Sequence, residues 1–318
     1  MKLVVITGCL GFIGSHVTKK CLDLGWKVYG IDNFTYAANE DLVGYFFEKY
    51  PENFDFVRSD IADLKYLPDC DYVINTAAET HVGNSIIDSK DFLKSNINGV
   101  QNLLDLIKAK PNNVDNRPIL FHFSTDEVYG DIVAGDHYET DHLNPSNPYS
   151  ASKAAADMLI TAWARTYGVE YVIFRPTNNY GQYQYPEKLI PLAVKLLQRG
   201  KKIRLHDEGK PIRNWLHAED TANAVITIIN SGKTNEIYNV AGGFEQENRE
   251  TVRKIIQSFH GGDVDWLDHV DLGYKREGQD VRYALNDDKL RSLGWKPQKI
   301  FNEEIPKLVE FYKNNFKW

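Results

Sequence analysis

A doubly wound α/β fold, in which helices cover both faces of an open parallel sheet, is predicted by three observations. Short apolar runs alternate with amphipathic segments through the first 175 residues, which is typical of repeated strand–helix–strand units. Three evenly spaced glycines separate the first strand from the first helix. The chain of 318 residues is long enough for about two domains. Because residues 176–318 alternate less regularly, they predict a smaller, mixed α/β C-terminal lobe.

The elements of the first domain, residues 1–175, are predicted in order along the chain. Strands are expected at 2–7, 26–31, 54–58, 71–75, 118–124 and 171–175, and helices at 15–24, 100–109 and 149–167. Segments near 212–242 are expected to return to this domain. The boundary with the second lobe, residues 176–318, is therefore predicted to be discontinuous.

Composition excludes several classes of protein. The 37 basic and 44 acidic side chains leave a net charge of −7, which disfavours non-specific binding of nucleic acid or of anionic membranes. Cys9, Cys21 and Cys70 form no CxxC pair, so neither a metal site nor a disulfide framework is predicted, and a reducing, cytoplasmic location is expected. No run of 18 apolar residues predicts a membrane span.

The spacing Gly8-x-x-Gly11-x-x-Gly14 predicts a dinucleotide-binding loop of the Rossmann type. Glycine lets the backbone approach a pyrophosphate closely, and the following helix N-terminus supplies N–H groups and a positive dipole end. Asp32 ends the second strand, where a carboxylate accepts hydrogen bonds from ribose hydroxyls and repels a 2′-phosphate. Asn33, rather than Arg, follows it, so the predicted cofactor is NAD.

Asp60 and Ile61 follow the third predicted strand. A carboxylate at this place could accept a hydrogen bond from an adenine amino group. It could equally cap the next helical segment. Both interpretations stay open at the level of sequence.

A tyrosine and a lysine four residues apart, Tyr149 and Lys153, fall on the alanine-rich helix predicted at 149–167. Residues at this spacing share one helix face. An ammonium beside a phenol is expected to lower the pKa of the phenol, which would make Tyr149 a base near neutral pH. An unrelated ion-rich helix face is the alternative.

Two adjacent acids follow the strand predicted at 118–124. Thr125, Asp126 and Glu127 lie at the carboxyl end of this strand, where open α/β sheets bind their ligands. If both carboxyls face a pocket, their repulsion raises one pKa, so that one group acts as acid and the other as base. A solvated acidic turn, in which Asp126 caps a helix, is the alternative.

Sequence tracts along nearly the whole chain resemble one enzyme family in order. They are TGCLGFIGSH (7–16), DNFTYAANEDL (32–42), AAETHVGNSI (77–86), STDEVYGD (124–131), NPYSASKAAAD (147–157), NNYGQYQYPEKLIPL (178–192), IRNWLHAED (212–220) and YNVAGG (238–243). The chain thereby resembles the extended short-chain dehydrogenases/reductases, and among them the nucleotide-sugar 4,6-dehydratases of the dTDP-glucose type. The adjacent Asp and Glu distinguish these lyases from the related 4-epimerases.

The resemblance implies a cycle with no net oxidation. Tyr149, helped by Thr125 and Lys153, takes the proton of the C-4 hydroxyl while NAD takes the hydride. The resulting ketone acidifies the C-5 hydrogen, which Glu127 removes while Asp126 protonates the leaving C-6 hydroxyl. Hydride then returns to C-6, and the product is a 4-keto-6-deoxy sugar.

The resemblance also implies two sets of binding residues. Those expected at the cofactor are Gly8, Gly11, Phe12, Ile13, Gly14, Asp32, Asn33, Thr35, Asp60, Ile61, Ala78, Tyr149, Lys153 and Asn179. Those expected at the nucleotide-sugar substrate are Thr80, Thr125, Asn178, Lys188, Leu189, Arg213, Asn248 and Arg276. A planar guanidinium suits phosphate because it donates parallel hydrogen bonds. For Arg213, an ion pair with Glu219 or Asp220 is the alternative.

Departures from the family pattern leave the substrate open. Residues 276–283 read REGQDVRY where RPGHDRRY is usual, and Gly83-Asn84 replaces the usual Asp-Arg. The nucleotide is therefore expected to be dTDP or UDP, and the sugar a glucose or an N-acetylglucosamine. Subsequent inversion at C-5 is not excluded.

Two other functions compete with the dehydratase, and one assembly is expected. A 4-epimerase or decarboxylase of the same fold would leave Asp126 and Glu127 without roles. A retired, NAD-binding scaffold would show no turnover, although all five expected catalytic residues are present. By resemblance, the chain is expected to form a homodimer in which helices 93–109 and 149–168 build a four-helix bundle.

Overall fold

The computed structural model describes residues 1–111, 117–274 and 280–315. Its strands are β1 (Leu3–Thr7), β2 (Lys27–Asp32), β3 (Phe54–Arg58), β4 (Tyr72–Asn75), β5 (Ile119–Phe123), β6 (Tyr171–Pro176), β7 (Asn178–Tyr180), β8 (Ile203–His206), β9 (Ile212–His217), β10 (Glu236–Val240), β11 (Glu245–Glu247) and β12 (Val270–Tyr274).

The helices alternate with these strands. They are α1 (Phe12–Asp23), α2 (Asp41–Lys49), α3 (Val82–Ile87), α4 (Lys90–Leu93), α5 (Gly99–Lys108), α6 (Pro148–Tyr167), α7 (Leu189–Gln198), α8 (Ala218–Ser231), α9 (Asn248–His260), α10 (Asp288–Arg291) and α11 (Phe301–Asn314). A π-helical turn, Lys94–Asn98, joins α4 to α5.

The largest sheet among the described residues is parallel and has seven strands, in the order β10-β6-β5-β4-β1-β2-β3. Alternate side chains of each strand point to opposite faces. Val4 and Ile6 face a core shared with α1 and α8, whereas Val5 faces a core shared with α5 and α6. The predicted doubly wound Rossmann fold is confirmed.

Segments after residue 176 join the large sheet and also form two small sheets of their own. Strand β10 pairs with β6 at the edge of the large sheet, and α8 packs against α1. Strands β11, β9 and β7 form one small sheet, and β12 pairs with β8. Helices α7, α9 and α11 pack together over a separate apolar core.

Two helices begin earlier than their sequence pattern predicts. Helix α1 begins at Phe12 rather than at residue 15, because Gly14 fits into its first turn. Helical structure also precedes α5, since α4 and the π-helical turn continue into it from residue 90. Within the described ranges, no helix is long and apolar enough to cross a membrane.

Candidate active site at the carboxyl edge of the sheet

A cleft runs along the carboxyl edge of the parallel sheet, and residues of the segment 176–188 also line it. It spans the point between β1 and β4 where the strand order reverses, which is the usual ligand site of such sheets. The predicted site residues that line it are Gly8, Gly11, Phe12, Ile13, Gly14, Asp32, Asn33, Thr35, Asp60, Ile61, Ala78, Thr80, Thr125, Asp126, Glu127, Tyr149, Asn178, Asn179 and Lys188.

Four predicted site residues do not line this cleft: Lys153, Leu189, Arg213 and Asn248. Lys153 lies behind Tyr149 on α6, and Leu189 begins α7 immediately after Lys188. Arg276 lies outside the described residues.

The glycine loop leaves no room for side chains. Gly8 has a φ of +69°, and a Cβ there would lie 2.7 Å from the backbone nitrogen of Ala77. A Cβ on Gly14 would lie 2.0 Å from the carbonyl oxygen of Gly8. Gly11 is the N-cap of α1 and has no side chain with which to cap the first turn. The amides of this turn therefore face the cleft as a cradle for phosphate.

The carboxylate of Asp32 is held rigidly at the rim of this cradle. Its Oδ2 accepts a hydrogen bond from the Leu10 amide at 3.1 Å, and its Oδ1 accepts one from the Phe34 amide at 2.9 Å. Burial raises its pKa. Each oxygen retains acceptor capacity for a hydroxyl, so the group suits the ribose of a dinucleotide.

Asp60 lies in the turn after β3 and is held by two hydrogen bonds. Its Oδ1 accepts a hydrogen bond from the Ala62 amide at 2.9 Å, and its Oδ2 pairs with Lys94 at 2.8 Å. The same residue also lines the cleft beside Ile61. No helix lies between β3 and β4 in this fully described segment, so the predicted helix cap is wrong, and the contact with adenine stays a prediction.

The acidic pair lies on a short 3₁₀ turn, Asp126–Tyr129, that follows β5. Thr125 caps this turn: its Oγ1 donates to Asp126 Oδ1 at 3.1 Å and accepts from the Glu127 amide at 3.3 Å. Asn147 Nδ2 donates to Glu127 Oε2 at 3.3 Å. Among the described residues, Asp126 Oδ2 is buried without a hydrogen-bond partner. That oxygen is free to meet a ligand.

The environment shifts the pKa of both carboxyls upward. Burial and, next, the charge of Glu127 raise the pKa of Asp126 to about 7. Burial also raises the pKa of Glu127, against the hydrogen bond from Asn147. The direction predicted from like-charge repulsion is correct, although burial is the larger cause. A solvated acidic turn is excluded because Asp126 is only 3% exposed.

One electrostatic prediction is wrong in this structure. Burial and, next, Glu127 raise the pKa of Tyr149, whereas the adjacent lysine was expected to lower it. Burial lowers the pKa of Lys153 itself to about 8. Its Nζ lies 3.4 Å from His122 Nε2. The lysine therefore contacts His122 of β5, and desolvation of the phenol, followed by the charge of Glu127, gives the pKa of Tyr149 its upward direction.

The substrate side of the cleft has an unsatisfied acceptor. The Oδ1 atom of Asn178 is buried without a partner among the described residues. Lys188 Nζ donates to the Thr80 carbonyl at 3.0 Å. Asn179 uses its side-chain amide inside the protein: it donates to Thr177 and accepts from Thr221. Asn178 is thus the asparagine whose side chain suits a ligand.

Arg213 does not form the ion pair that was its alternative. Glu219 pairs with Lys299 instead, at 2.8 Å. The guanidinium of Arg213 donates to the carbonyls of Ile212 and Asp280, at 2.7 and 3.3 Å. It lies over the Tyr283 ring, 5.0 Å from the centroid. Its charge therefore stays available to a phosphate.

Asn248 begins α9, and its Oδ1 is a second buried acceptor without a partner among the described residues. Its backbone amide donates to the Pro211 carbonyl at 3.0 Å. That bond ties the start of α9 to the segment that leads into β9 and Arg213. The unsatisfied oxygen is what a nucleotide-binding residue would present.

Comparison with known proteins decides the family. The sequence model of the GDP-mannose 4,6 dehydratase family matches residues 5–308. The chain belongs to this family. The matching relatives are dehydratases, so the chain is an enzyme of the hydro-lyase class. The resemblance seen in the sequence is confirmed.

Individual dehydratases match nearly the whole chain. A probable dTDP-glucose 4,6-dehydratase of Sinorhizobium fredii is 38% identical over 335 residues, covering 99% of this chain and 94% of the relative. The dTDP-glucose 4,6-dehydratase 1 of Escherichia coli K12 is 36% identical, with the same coverage. The crystal structure of DesIV, a dTDP-glucose 4,6-dehydratase of Streptomyces venezuelae with NAD and TYD bound, superposes with a TM-score of 0.91 at 35% identity, covering 98% of this chain and 97% of that one.

Epimerases share the fold of the dehydratases. A UDP-glucuronic acid 4-epimerase of Bacillus cereus superposes with a TM-score of 0.89 at 22% identity, covering 99% of this chain and all of that one. At this identity the likeness shows the fold alone. The acidic turn, rather than the fold, is therefore the feature that bears on the reaction.

Two residues of this dehydratase family member escaped the sequence reasoning. Glu79 lines the cleft, and burial, followed by Asp91 and Glu187, raises its pKa to about 7. His122 is completely buried in β5 next to Lys153. The sequence offered one signal for each: an acid just after β4 and a histidine inside an apolar strand.

Proposed function

We propose that the protein is an NAD-dependent dTDP-glucose 4,6-dehydratase that forms the 4-keto-6-deoxy sugar. The observation that carries this proposal is the buried pair Asp126 and Glu127, which shares the cleft with Tyr149. An oxidation alone needs no such pair, whereas the elimination of water needs one acid and one base. The relatives named for dTDP-glucose support this nucleotide over UDP, and glucose over N-acetylglucosamine.

NAD fits the residues of the cofactor end. The close approach at Gly8 and Gly14 and the open first turn of α1 suit the pyrophosphate, and Asp32 suits the ribose. Three similar crystal structures of dTDP-glucose 4,6-dehydratases hold NAD. The chemistry that bound NAD supplies is reversible hydride transfer, from C-4 at the start and to C-6 at the end.

Tyr149 is the residue that receives the proton of the C-4 hydroxyl. Its hydrogen bond with Thr125 lowers its pKa, against the larger effect of burial. Lys153 lies one turn further along α6 and brings a positive charge to the same helix face. The three residues thus hold and move one proton at one oxygen of the substrate.

The C-4 ketone makes the C-5 hydrogen acidic, and Glu127 then removes that proton. Asp126 gives its own proton to the C-6 hydroxyl, so the C–O bond breaks and water leaves. With a pKa of about 7, Asp126 is about half protonated at neutral pH and can serve as the acid. The free Oδ2 atom of Asp126 is the group placed to meet the leaving oxygen.

A turnover panel followed by mass spectrometry tests the proposal. Purified protein is incubated separately with dTDP-glucose, UDP-glucose and UDP-N-acetylglucosamine, without added reductant. We expect dTDP-glucose to lose one water, and proton NMR of the product then reports the configuration at C-5. A product with an altered sugar but unchanged mass would show an epimerase instead of a dehydratase. Bound NAD without turnover of any of the three substrates would indicate an NAD-binding scaffold.

We further propose that the chain forms a homodimer through α5, α6 and the helical segment before α5. Two exposed apolar side chains on these helices support this surface: Met158 on α6 is 62% exposed, and Leu93 at the end of α4 is 46% exposed. Light scattering coupled to gel filtration should give twice the mass of 36.4 kDa. Met158→Glu together with Leu93→Glu should give monomers.

The division into an NAD-binding domain, 1–175 with returning segments near 212–242, and a nucleotide-sugar lobe, 176–318, is also a proposal. The separate apolar core of α7, α9 and α11 supports it. The cytoplasm as location is a proposal based on the three free cysteines.

A further inference from the structure

A buried ion pair lies directly behind the catalytic turn, and the proposed mechanism does not use it. Asp157 is on α6 and Arg175 is on β6, and each side chain is only 3% exposed. Arg175 donates to the same oxygen, Asp157 Oδ2, from Nε at 3.1 Å and from Nη2 at 2.9 Å. Neither residue lines the cleft.

The pair is hydrogen-bonded to both ends of the turn. Before the turn, Ser124 Oγ donates to Asp157 Oδ2 at 3.0 Å. At its last residue, Arg175 Nη1 donates to the Tyr129 hydroxyl at 2.7 Å. That hydroxyl in turn donates to Asn239 Oδ1, on β10, at 2.8 Å. All five side chains are buried, so the connections are protected from water.

The turn needs such support because it is short. It contains four residues of 3₁₀ geometry, Asp126–Tyr129, and such pieces have poorer hydrogen bonds than an α-helix. The chain then turns away at Gly130, with a φ of +81° and no room for a Cβ beside the Asn144 carbonyl. The position of the two acids therefore depends on what holds the two ends.

The same ion pair also joins the two sets of catalytic groups. Helix α6 carries Tyr149 and Lys153, and two turns after Tyr149 it carries Asp157. The turn carries Asp126 and Glu127. A rigid connection between helix and turn determines how far the residues of oxidation lie from the residues of elimination.

We propose that Asp157 and Arg175 are positioning residues for the elimination step. They act through Ser124 and Tyr129, which flank the two acids. When Tyr149 contacts the C-4 hydroxyl, Asp126 is thereby held next to the C-6 hydroxyl and Glu127 next to the C-5 hydrogen. This inference rests on the proposed function, because it assigns the support of the proposed acid and base.

Stability alone does not account for a pair of this kind. Replacing a buried ion pair by well-packed apolar residues is often neutral or stabilising, because burying two charges is costly. The guanidinium offers something that apolar packing does not, namely a planar fork that bonds a carboxylate and a hydroxyl in fixed directions. Here these two partners lead to opposite ends of one catalytic turn.

Tyr129→Phe is the variant of choice, since it breaks the connection at one end and leaves the buried charges paired. Tyr238→Phe is the matched control: Tyr238 is equally buried, on β10, and its hydroxyl accepts a hydrogen bond from the Lys233 amide at 2.8 Å, away from the turn. Each variant is assayed with dTDP-glucose as the NAD-loaded enzyme, and its thermal unfolding is recorded.

We expect Tyr129→Phe to lower kcat about tenfold with KM changed less than about twofold, because a small displacement of an acid or base slows the chemical step. In a single turnover, reduced nicotinamide should form at the wild-type rate and then accumulate, since oxidation precedes the slowed elimination. Tyr238→Phe should behave as wild type. A proportional loss of oxidation and elimination, or an unchanged kcat, would overturn the inference.

Arg175→Lys provides the second test, because it keeps the charge and removes the fork. We expect it to fold and to show the same accumulation of reduced nicotinamide, with faster amide hydrogen exchange across residues 124–130. Unchanged exchange and partial rates would count against a positioning role. Failure of the proposed function is distinguishable, since wild-type protein would then release no water from dTDP-glucose.

Discussion

The two ends of the cleft recognise their ligands by different means. At the cofactor end the backbone forms the cradle for the pyrophosphate, and this cradle requires that Gly8 and Gly14 carry no side chain. At the catalytic end buried, titratable side chains form the site, and Asp126 and Glu127 have raised pKa values there. Binding at a backbone site should change little with pH and should be weakened by any added side-chain atom. The activity of a site made of titratable side chains should change with pH, and such a site should keep its fold when a side chain is replaced by one of the same size.

Glu127→Gln should reduce turnover more than any other variant at the catalytic end. The amide keeps the size of the side chain and loses the base, so kcat for water release should fall about 10³-fold while oxidation at C-4 persists. Solvent deuterium should no longer enter C-5. Retention of more than about a tenth of wild-type turnover would remove Glu127 from the role of base.

Gly14→Ala examines the other end. An added Cβ collides with the Gly8 carbonyl oxygen, so we expect about 3 kcal/mol lower free energy of unfolding and about 100-fold weaker NAD binding. Denaturant titration and the NAD content of purified protein measure these effects.

Gly44→Ala is the matched control for that variant. Gly44 lies exposed in α2 with no atom within 4 Å of an added Cβ, so its replacement should raise the free energy of unfolding by about 0.5 kcal/mol. Equal effects of the two substitutions would mean that close approach is not what selects glycine at position 14.

Asp126→Asn should raise stability at alkaline pH. The pKa of Asp126 is about 7 in the folded protein and about 3.9 in an unfolded chain, so folding binds a proton between these values and stability falls as pH rises through 7. Relative to wild type, Asp126→Asn should therefore have a free energy of unfolding that is higher by about 2–4 kcal/mol more at pH 8 than at pH 4. If the free energies of unfolding of the variant and the wild type differ by the same amount at both pH values, the raised pKa of Asp126 is contradicted.

The pH dependence of activity should show the smallest effect. Activity requires Asp126 protonated and Glu127 ionised, so kcat should fall about tenfold per pH unit above about 7. In Asp126→Asn, the residual rate of oxidation should instead fall near pH 8, where Lys153 loses its proton. A profile that is flat from pH 6 to 9 would contradict both assignments.

The parallel strands and the glycine loop were predictable because their signals are local. Buried strands are runs of apolar residues, and the loop is a spacing of glycines next to them. The start of α1 at Phe12 was not predictable, since it depends on how closely Gly14 approaches the Gly8 carbonyl. The ion pair of Asp60 with Lys94, 34 residues away, was also not predictable, because it depends on how distant segments pack together.

The chemical groups of the cleft could be read from the amino-acid order: a glycine loop, an acid at the end of β2, a tyrosine and lysine on one helix face, and two adjacent acids after β5. The electrostatic state of these groups emerges only when the chain is folded. Burial raises the pKa of Tyr149 where the neighbouring lysine predicted a decrease, and it brings Asp126 to about 7. The physical reason is that desolvation and long-range contacts, such as that between Arg175 and Tyr129, depend on packing between segments distant in the chain.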